Sequence, residues 1–207
     1  MTNERVNPWL ARTGRGADDY DAAYEVRAAA GEDVHGEADF VEQLGPRSVL
    51  DAGCGTGRVA RELARRGLDI AGVDIDPEML NTARRKAPHL DWRLGDLATI
   101  DLSRSFDAAV MAGNVMIFLT PGSEAAVLAN LVRNLNPEGQ LIAGFQRMSG
   151  RLTIARYDTL ADAAGLELVE RWSTWDRQPW QLNADYAVSV HRRRQVFPGE
   201  ERTRGLP

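Results

Sequence analysis

The chain has 207 residues, of which 43% are hydrophobic and 27% charged, as is usual for a globular domain. Its formal net charge of −5 argues against nucleic acid as the main partner, because phosphate binding requires a basic surface. The single cysteine excludes an internal disulfide, and no apolar run reaches the roughly 20 residues that cross a membrane, so a cytoplasmic protein without membrane contact is expected.

The first 45 residues predict a loose segment followed by two helices. Residues 1–17 are polar and contain glycine, which is typical of a loose terminus. The first helix is predicted from Asp18 to Gly31, with one face formed by Tyr20, Ala23, Tyr24 and Arg27. The second ends before the Gly45-Pro46 pair, and its apolar face consists of Val34, Ala38, Val41 and Leu44. We interpret residues 18–45 as a helical lid.

From residue 46 to 193, strand patterns alternate with helix patterns. Short apolar runs predict strands at residues 48–52, 68–73, 90–94, 106–111, 140–145, 166–172 and 185–193. Helices are predicted up to residue 66, from residue 77, and at residues 121–135 and 154–164, with a turn at 136–139. Such alternation predicts an α/β domain with a parallel sheet covered on both faces. No helix pattern separates the last two strands, which are therefore expected to pair antiparallel.

A glycine-rich turn follows the first predicted strand. In Asp51-Ala-Gly-Cys-Gly-Thr-Gly57 the glycines alternate, so a ligand can lie against the backbone, and the next helix begins with its positive end toward an anionic group. Asp74 ends the second strand, where an acid can accept hydrogen bonds from both ribose hydroxyls of a nucleoside. The dinucleotide fingerprint G-x-G-x-x-G is matched only weakly, because its third glycine is replaced by Arg58 in one register and by Ala60 in the other.

This glycine turn resembles the first motif of the class I S-adenosylmethionine-dependent methyltransferases. Other landmarks similar to that family follow in order, at residues 73–76, 95–97, 106–114 and 135–141. The resemblance covers about residues 46–172. It implies a Rossmann-like, seven-stranded, mostly parallel sheet with an antiparallel last strand, helices on both faces and an N-terminal helical lid. It also implies S-adenosylmethionine as the cofactor of a single methyltransferase domain over residues 1–207.

The resemblance further implies the cofactor-binding residues. Around the methionine half and the sulfonium it places Asp51, Gly53, Cys54, Gly55, Ala112, Gly113 and Asn114. Around the ribose and the adenine it places Asp74, Ile75, Asp96 and Leu97. Asp96 could instead be a helix N-cap in the Gly-Asp-Leu turn, and Asp76 is expected to cap a helix rather than to bind the ligand. Cys54 is interpreted as a small residue and not as a nucleophile.

Arg27 is the lid residue expected to contact the cofactor, because a guanidinium can grip a carboxylate with two bonds. The alternative is a salt bridge from Arg27 to a nearby acid such as Asp39. Of the three histidines, His89 and His191 are expected at the opposite edge of the sheet, which leaves His35 as the candidate base. No metal is expected, because a sulfonium is already activated and positioning can supply much of the rate.

The expected function is methyl transfer to a small-molecule acceptor. Its binding residues are expected from the N-terminal helices, the loops at 114–120 and 145–151, and the 173–184 link. Around that link, Trp172, Trp175 and Trp180 could stack on a flat acceptor or pack as core. Two alternatives are a protein that binds S-adenosylmethionine without transferring its methyl group, and a dinucleotide-dependent reductase.

Overall fold

A computed structural model of the chain describes residues 6–12 and 16–195, in which strands and helices alternate. The strands are β1 (Ser48–Ala52), β2 (Asp69–Asp74), β3 (Asp91–Leu94), β4 (Phe106–Met111), β5 (Leu135–Gln146), β6 (Leu166–Trp172) and β7 (Tyr186–Arg193). The helices are α1 (Ala17–Ala29), α2 (Gly36–Gln43), α3 (Arg58–Arg65), α4 (Pro77–Lys86), α5 (Val115–Phe118), α6 (Glu124–Arg133) and α7 (Ile154–Ala163).

The strands form one sheet in the order β3-β2-β1-β4-β5-β7-β6. The pairs from β3 to β5 are parallel, whereas β7 is antiparallel to both β5 and β6. The predicted fold class is therefore confirmed. The chain order reverses between β1 and β4, so the connections after these strands diverge at their carboxyl ends and leave a crevice, the usual place for a ligand in such sheets.

Apolar side chains fill both faces of the sheet. On one face Leu50 and Phe145 pack with residues of α6 and α7. On the other face Val49 and Ile142 pack with residues of α2, α3 and α4. Because α2 buries three apolar side chains, it belongs to the core as much as to a lid; they are Ala38, Phe40 and Val41.

Two predicted boundaries on the β4 to β5 connection are wrong. The helix expected at 121–135 begins later, because Gly122 has a φ of 90°, which lies outside the α-helical region. A short helix, α5, precedes it. The turn expected at 136–139 lies inside β5. There the register with β4 shifts and Glu138 has a φ of 63°, so the turn residues form a bulge in the strand.

The face predicted for α1 holds only in part. Arg27 and Tyr24 do lie together, with the guanidinium 5.5 Å from the ring centroid, but Ala23 and Arg27 are exposed and Tyr24 is half-buried; the side chain of Tyr20 lies outside the described residues. Among the described side chains of this helix, Asp21 is the one that is buried. Its carboxylate accepts from the Thr56 hydroxyl at 2.5 Å and pairs with the Lys86 ammonium at 2.6 Å. Helix α1 is therefore attached by a buried ion pair, which apolar periodicity cannot predict.

Two tryptophans near the link between β6 and β7 pack as core. Trp175 meets Phe40 edge to face at 5.5 Å and donates to the Tyr186 hydroxyl at 3.2 Å. A Cβ on Gly144 would lie 2.3 Å from the Trp175 ring, so the glycine is what admits the indole. Trp172 also packs against this core. The core alternative therefore holds for both.

Candidate functional site

A cavity lies at the carboxyl ends of β1, β2 and β4. It brings together predicted residues from four separate segments of the chain: Gly53, Cys54, Gly55, Asp74, Ile75, Asp96, Leu97, Ala112 and Gly113. The loop after β4 adds Val115, Phe118, Leu119 and Thr120, within the segment expected to bind the acceptor. Asn7, Trp9, Met79 and Ser123 complete the lining.

The floor of the cavity is the glycine turn after β1. Gly53, Gly55 and Gly57 have φ values of 84°, 55° and 78°, which side-chain-bearing residues rarely adopt. The amide N–H groups of Gly53 and Cys54 donate to the Val73 carbonyl at 2.8 and 2.9 Å, which ties the turn to β2. A Cβ at residue 53 would lie 2.5 Å from Val115, whereas one at residue 55 would meet nothing within 4 Å. The backbone at residue 55 therefore faces open space.

Asp74 lies at the end of β2 and is almost fully buried. One carboxylate oxygen accepts from the Gly55 amide at 2.7 Å and the other from the Asp76 amide at 2.8 Å. Burial raises the pKa of Asp74 above its ordinary value, and these two bonds oppose the rise. The acid therefore holds the glycine turn and faces the cavity at the same time.

Asp96 lines the cavity after β3, next to the end of β2. One of its carboxylate oxygens accepts from the Ala98 amide at 2.8 Å, so it caps a turn, but it is not a helix N-cap because the described residues between β3 and β4 form no helix. Asp76 is the N-cap of α4, where it accepts from the Glu78 amide at 2.9 Å, as predicted. The two acids therefore shape the local backbone, and Asp96 alone of the pair lines the cavity.

Two other predicted residues, Asp51 and Asn114, do not line the cavity. Asp51 is buried and accepts from the Ala60 amide at 3.0 Å, which fixes α3 against β1. Burial raises the pKa of Asp51 to about 7. Asn114 has a φ of 70°, and its side-chain oxygen accepts from the Gln146 amide at 2.8 Å, which joins the ends of β4 and β5. Their contact with the cofactor stays a prediction.

Neither Arg27 nor His35 lines the cavity. Arg27 is half-exposed and pairs with Glu32 at 2.7 Å, whereas Asp39 pairs with Arg66 at 2.6 Å. The alternative of a salt bridge to a nearby acid is therefore present, with Glu32 and not Asp39 as the acid. His35 precedes α2, and its Nδ1 atom is buried without a hydrogen-bond partner among the described residues. Its role as a base stays a prediction.

Comparison with known proteins decides the family. Residues 49–139 match a family described as a methyltransferase domain. The demethylmenaquinone methyltransferase of Tropheryma whipplei (strain Twist) is 35% identical over 176 residues, which cover 73% of this chain and 72% of that protein. This chain belongs to the class I S-adenosylmethionine-dependent methyltransferases. Its cofactor is accordingly S-adenosylmethionine, as the glycine turn predicted. The alternative of a dinucleotide-dependent reductase is therefore wrong.

Two further proteins are similar to this methyltransferase. A solved TehB-like SAM-dependent methyltransferase from Corynebacterium glutamicum is 35% identical, with a TM-score of 0.79 over 86% of this chain and 98% of that one. The dTDP-3-amino-3,4,6-trideoxy-alpha-D-glucopyranose N,N-dimethyltransferase of Streptomyces venezuelae is 32% identical over 133 residues, 61% of this chain and 55% of that protein. The first comparison extends the structural agreement over nearly all of the described residues.

Sequence reasoning missed the contribution of the N-terminus to the site of this methyltransferase. Asn7 and Trp9 lie in a segment predicted to be loose, yet both line the cavity. The available signal was a bulky aromatic residue directly after an Asn-Pro turn signal in an otherwise polar stretch. Met79 was missed because helix periodicity assigns it to the core. It lies in the first turn of α4, four residues after Ile75, and lines the cavity.

The described residues offer this methyltransferase neither a metal site nor a membrane span. Between residues 6–12 and 16–195, no three or more His, Cys, Asp or Glu side chains come together as metal ligands. Within the same ranges, no helix has the length and apolar character needed to cross a bilayer.

Proposed function

We propose that this methyltransferase transfers the methyl group of S-adenosylmethionine to a small-molecule acceptor. The observation that carries the proposal is the cavity at the strand ends, where a glycine turn without side chains faces Asp74 and Asp96. Two relatives are named for small acceptors, demethylmenaquinone and an amino-sugar nucleotide. The net charge of −5 is unfavourable for binding nucleic acid.

The cavity fits the cofactor in shape and in chemistry. We place the methionine half over Gly53, Cys54 and Gly55, because the space that a Cβ at residue 55 would occupy is open. Asp74 then accepts from the ribose hydroxyls and Asp96 from the adenine amino group. The apolar side chains of Ile75 and Leu97 flank the adenine, and the backbone of Ala112, Gly113 and Asn114 passes under the sulfonium. Asp51, behind the turn, faces the ammonium through water.

The sulfonium supplies an activated methyl group when the cofactor is bound. Held over Gly53, Cys54 and Gly55, the cofactor would exchange its carbon–sulfur bond for a bond between the methyl carbon and the acceptor atom, and would be released as the neutral thioether. A nucleophile that carries a proton loses it to solvent or to a base such as His35. The chain contributes mainly by holding donor and acceptor in line, for which preorganisation can supply about 7–11 kcal/mol of the barrier.

Calorimetry and methyl labelling test this function. The wild-type protein is expected to bind S-adenosylmethionine or its demethylated product with a micromolar-range Kd and to give no heat with NAD. With S-adenosylmethionine labelled in its methyl group and a bacterial extract, the label is expected in the small-molecule fraction. Label found only in protein or nucleic acid would refute the acceptor class, and tight NAD binding without a response to the sulfonium ligand would refute the cofactor placement.

Arg27 provides a separate prediction about the carboxylate of the cofactor. Helix α1 is attached beside the glycine turn through the Asp21–Thr56 bond, so a rotamer change that breaks the Arg27–Glu32 pair could bring the guanidinium toward the methionine half. Arg27→Ala is then expected to weaken S-adenosylhomocysteine binding roughly tenfold. The same variant should bind 5′-methylthioadenosine normally, because that ligand has no carboxylate.

Glu32→Gln is the matched control, since it removes the ion pair and keeps the guanidinium. Its affinity for S-adenosylhomocysteine is expected to equal or exceed that of the wild type. If Arg27→Ala binds both ligands normally, Arg27 has only its surface pairing with Glu32.

A further inference from the structure

The segment before α1 contains a compact turn, Asn7–Arg12. The amide of Ala11 donates to the Asn7 carbonyl at 3.1 Å, and the amide of Arg12 donates to the Trp9 carbonyl at 3.1 Å. The side-chain oxygen of Asn7 also accepts from the Trp9 amide at 2.9 Å. These local bonds fix the direction in which the indole of Trp9 leaves the backbone.

This turn connects two opposite sides of the cavity. On one side the Trp9 indole N–H donates to the Asp76 carboxylate at 2.9 Å, at the start of α4. On the other side the Asn7 amide nitrogen donates to the Thr120 hydroxyl at 3.3 Å, beyond α5. Asn7 and Trp9 both line the cavity between these two attachments. The turn therefore closes part of the cavity that the sheet leaves open.

Aromatic contacts strengthen the closure. The Trp9 and Phe118 rings meet edge to face with centroids 5.6 Å apart, and both line the cavity. The Arg12 guanidinium lies 5.1 Å from the centroid of Trp9 and 4.7 Å from that of Phe118. A cation at these distances from two rings holds them together. Trp9 is thus fixed by a hydrogen bond, a ring contact and a cation.

We propose, given the cofactor placement stated above, that the Asn7–Arg12 turn is the outer wall of the adenosyl site and that Trp9 packs on the adenosyl group. The partner of the indole, Asp76, lies two residues beyond the ribose acid Asp74 and next to Ile75, the residue placed against adenine. An indole offers a large rigid apolar surface and every base has a π face, so this contact suits a purine.

The contribution of the indole is measured first with Trp9→Ala. Loss of an aromatic contact with a base is expected to raise the Kd for S-adenosylhomocysteine about ten- to a hundredfold and to speed its dissociation. The same fold-increase is expected for 5′-methylthioadenosine, because the two ligands share the adenosyl group. A loss seen with S-adenosylhomocysteine alone would overturn the assignment of Trp9 to the adenosyl group.

The hydrogen bond that closes the wall is tested with two matched variants. Trp9→Phe keeps an apolar ring and removes the N–H donor. Asp76→Asn keeps an oxygen to cap α4 and places an amide N–H₂ opposite the indole N–H. Each of these two variants is expected to raise the Kd for S-adenosylhomocysteine about three- to tenfold. The double variant should be no weaker than the weaker single variant, because both changes break the same bond. Fully additive losses would overturn the role of this bond.

Trp180→Phe serves as the control, since Trp180 lies in the link between β6 and β7 and contacts Arg147 and Arg171. It should bind both ligands as the wild type does and keep any fluorescence change on binding, which Trp9→Phe should lose. If Trp9→Ala has wild-type affinity while remaining folded by circular dichroism, the wall is refuted and the cofactor placement stands. If the wild type binds neither ligand, the cofactor placement itself fails.

Discussion

Replacing Trp92 with alanine is expected to lower the free energy of unfolding by about 3–5 kcal/mol, because it removes a large buried side chain from between the sheet and α3. The indole fills the space beside Gly57 and Gly72, where an added Cβ would lie 2.4 Å from the ring in each case. Its N–H donates to the Ala87 carbonyl at 2.8 Å. The alanine variant therefore loses packing below the glycine turn and one of the two hydrogen bonds to the Ala87 carbonyl, which still accepts from the Leu90 amide at 3.2 Å.

Chemical denaturation followed by circular dichroism measures this loss. Trp92→Phe is the control, since it keeps most of the apolar surface and loses the N–H, so its destabilisation should be clearly smaller. Because Gly57 ends the glycine turn, the alanine variant should also bind the cofactor more weakly at temperatures where it is folded. An unchanged denaturation midpoint would contradict the packing described here.

Asp74→Ala is expected to weaken cofactor binding by about 1.5–3 kcal/mol, or roughly ten- to a hundredfold in Kd. The carboxylate is placed to accept from the ribose, and it already fixes the Gly55 amide at 2.7 Å. The variant thus loses a charge-assisted contact and loosens the turn beneath the methionine half. Calorimetric titration with S-adenosylhomocysteine measures the loss directly.

Asp69→Ala is the matched control for this experiment. Asp69 lies at the other end of β2, is exposed and pairs with Arg104, so its removal should leave the cofactor affinity unchanged. Asp74→Asn separates charge from geometry, because its amide oxygen can still accept from Gly55. Normal affinity in Asp74→Ala would show that the ribose is held elsewhere.

Much of the sheet could be predicted because its strands carry unambiguous local signals. β1 and β4 are short apolar runs, and the turns between strands and helices contain glycine, aspartate or proline. Once the strand order is known, the residues at the carboxyl ends of these strands can be predicted to lie close together. Nine predicted cofactor residues line one cavity for this reason: Gly53, Cys54, Gly55, Asp74, Ile75, Asp96, Leu97, Ala112 and Gly113.

The N-terminal contacts could not be predicted because they join polar residues far apart in the chain. Asp21 pairs with Lys86, and Trp9 bonds Asp76, 67 positions away. Neither pair gives rise to a periodic residue pattern in the sequence. Helical periodicity also misassigned α1, whose one described buried side chain is an aspartate. Apolar patterning predicts what packs on a sheet, whereas such specific polar attachments require the tertiary structure.

The position of Cys54 has a consequence for the chemical survival of the enzyme. A sulfonium is an alkylating agent, and a cysteine thiolate is among the strongest nucleophiles in a protein. Cys54 lines the cavity, yet its sulfur points toward β2, where a Cβ on Gly72 would lie 3.0 Å away. Burial raises the pKa of this thiol well above its ordinary value, which disfavours the nucleophilic thiolate. In the cofactor placement proposed above, a thiol can therefore lie beside the methyl donor without being methylated.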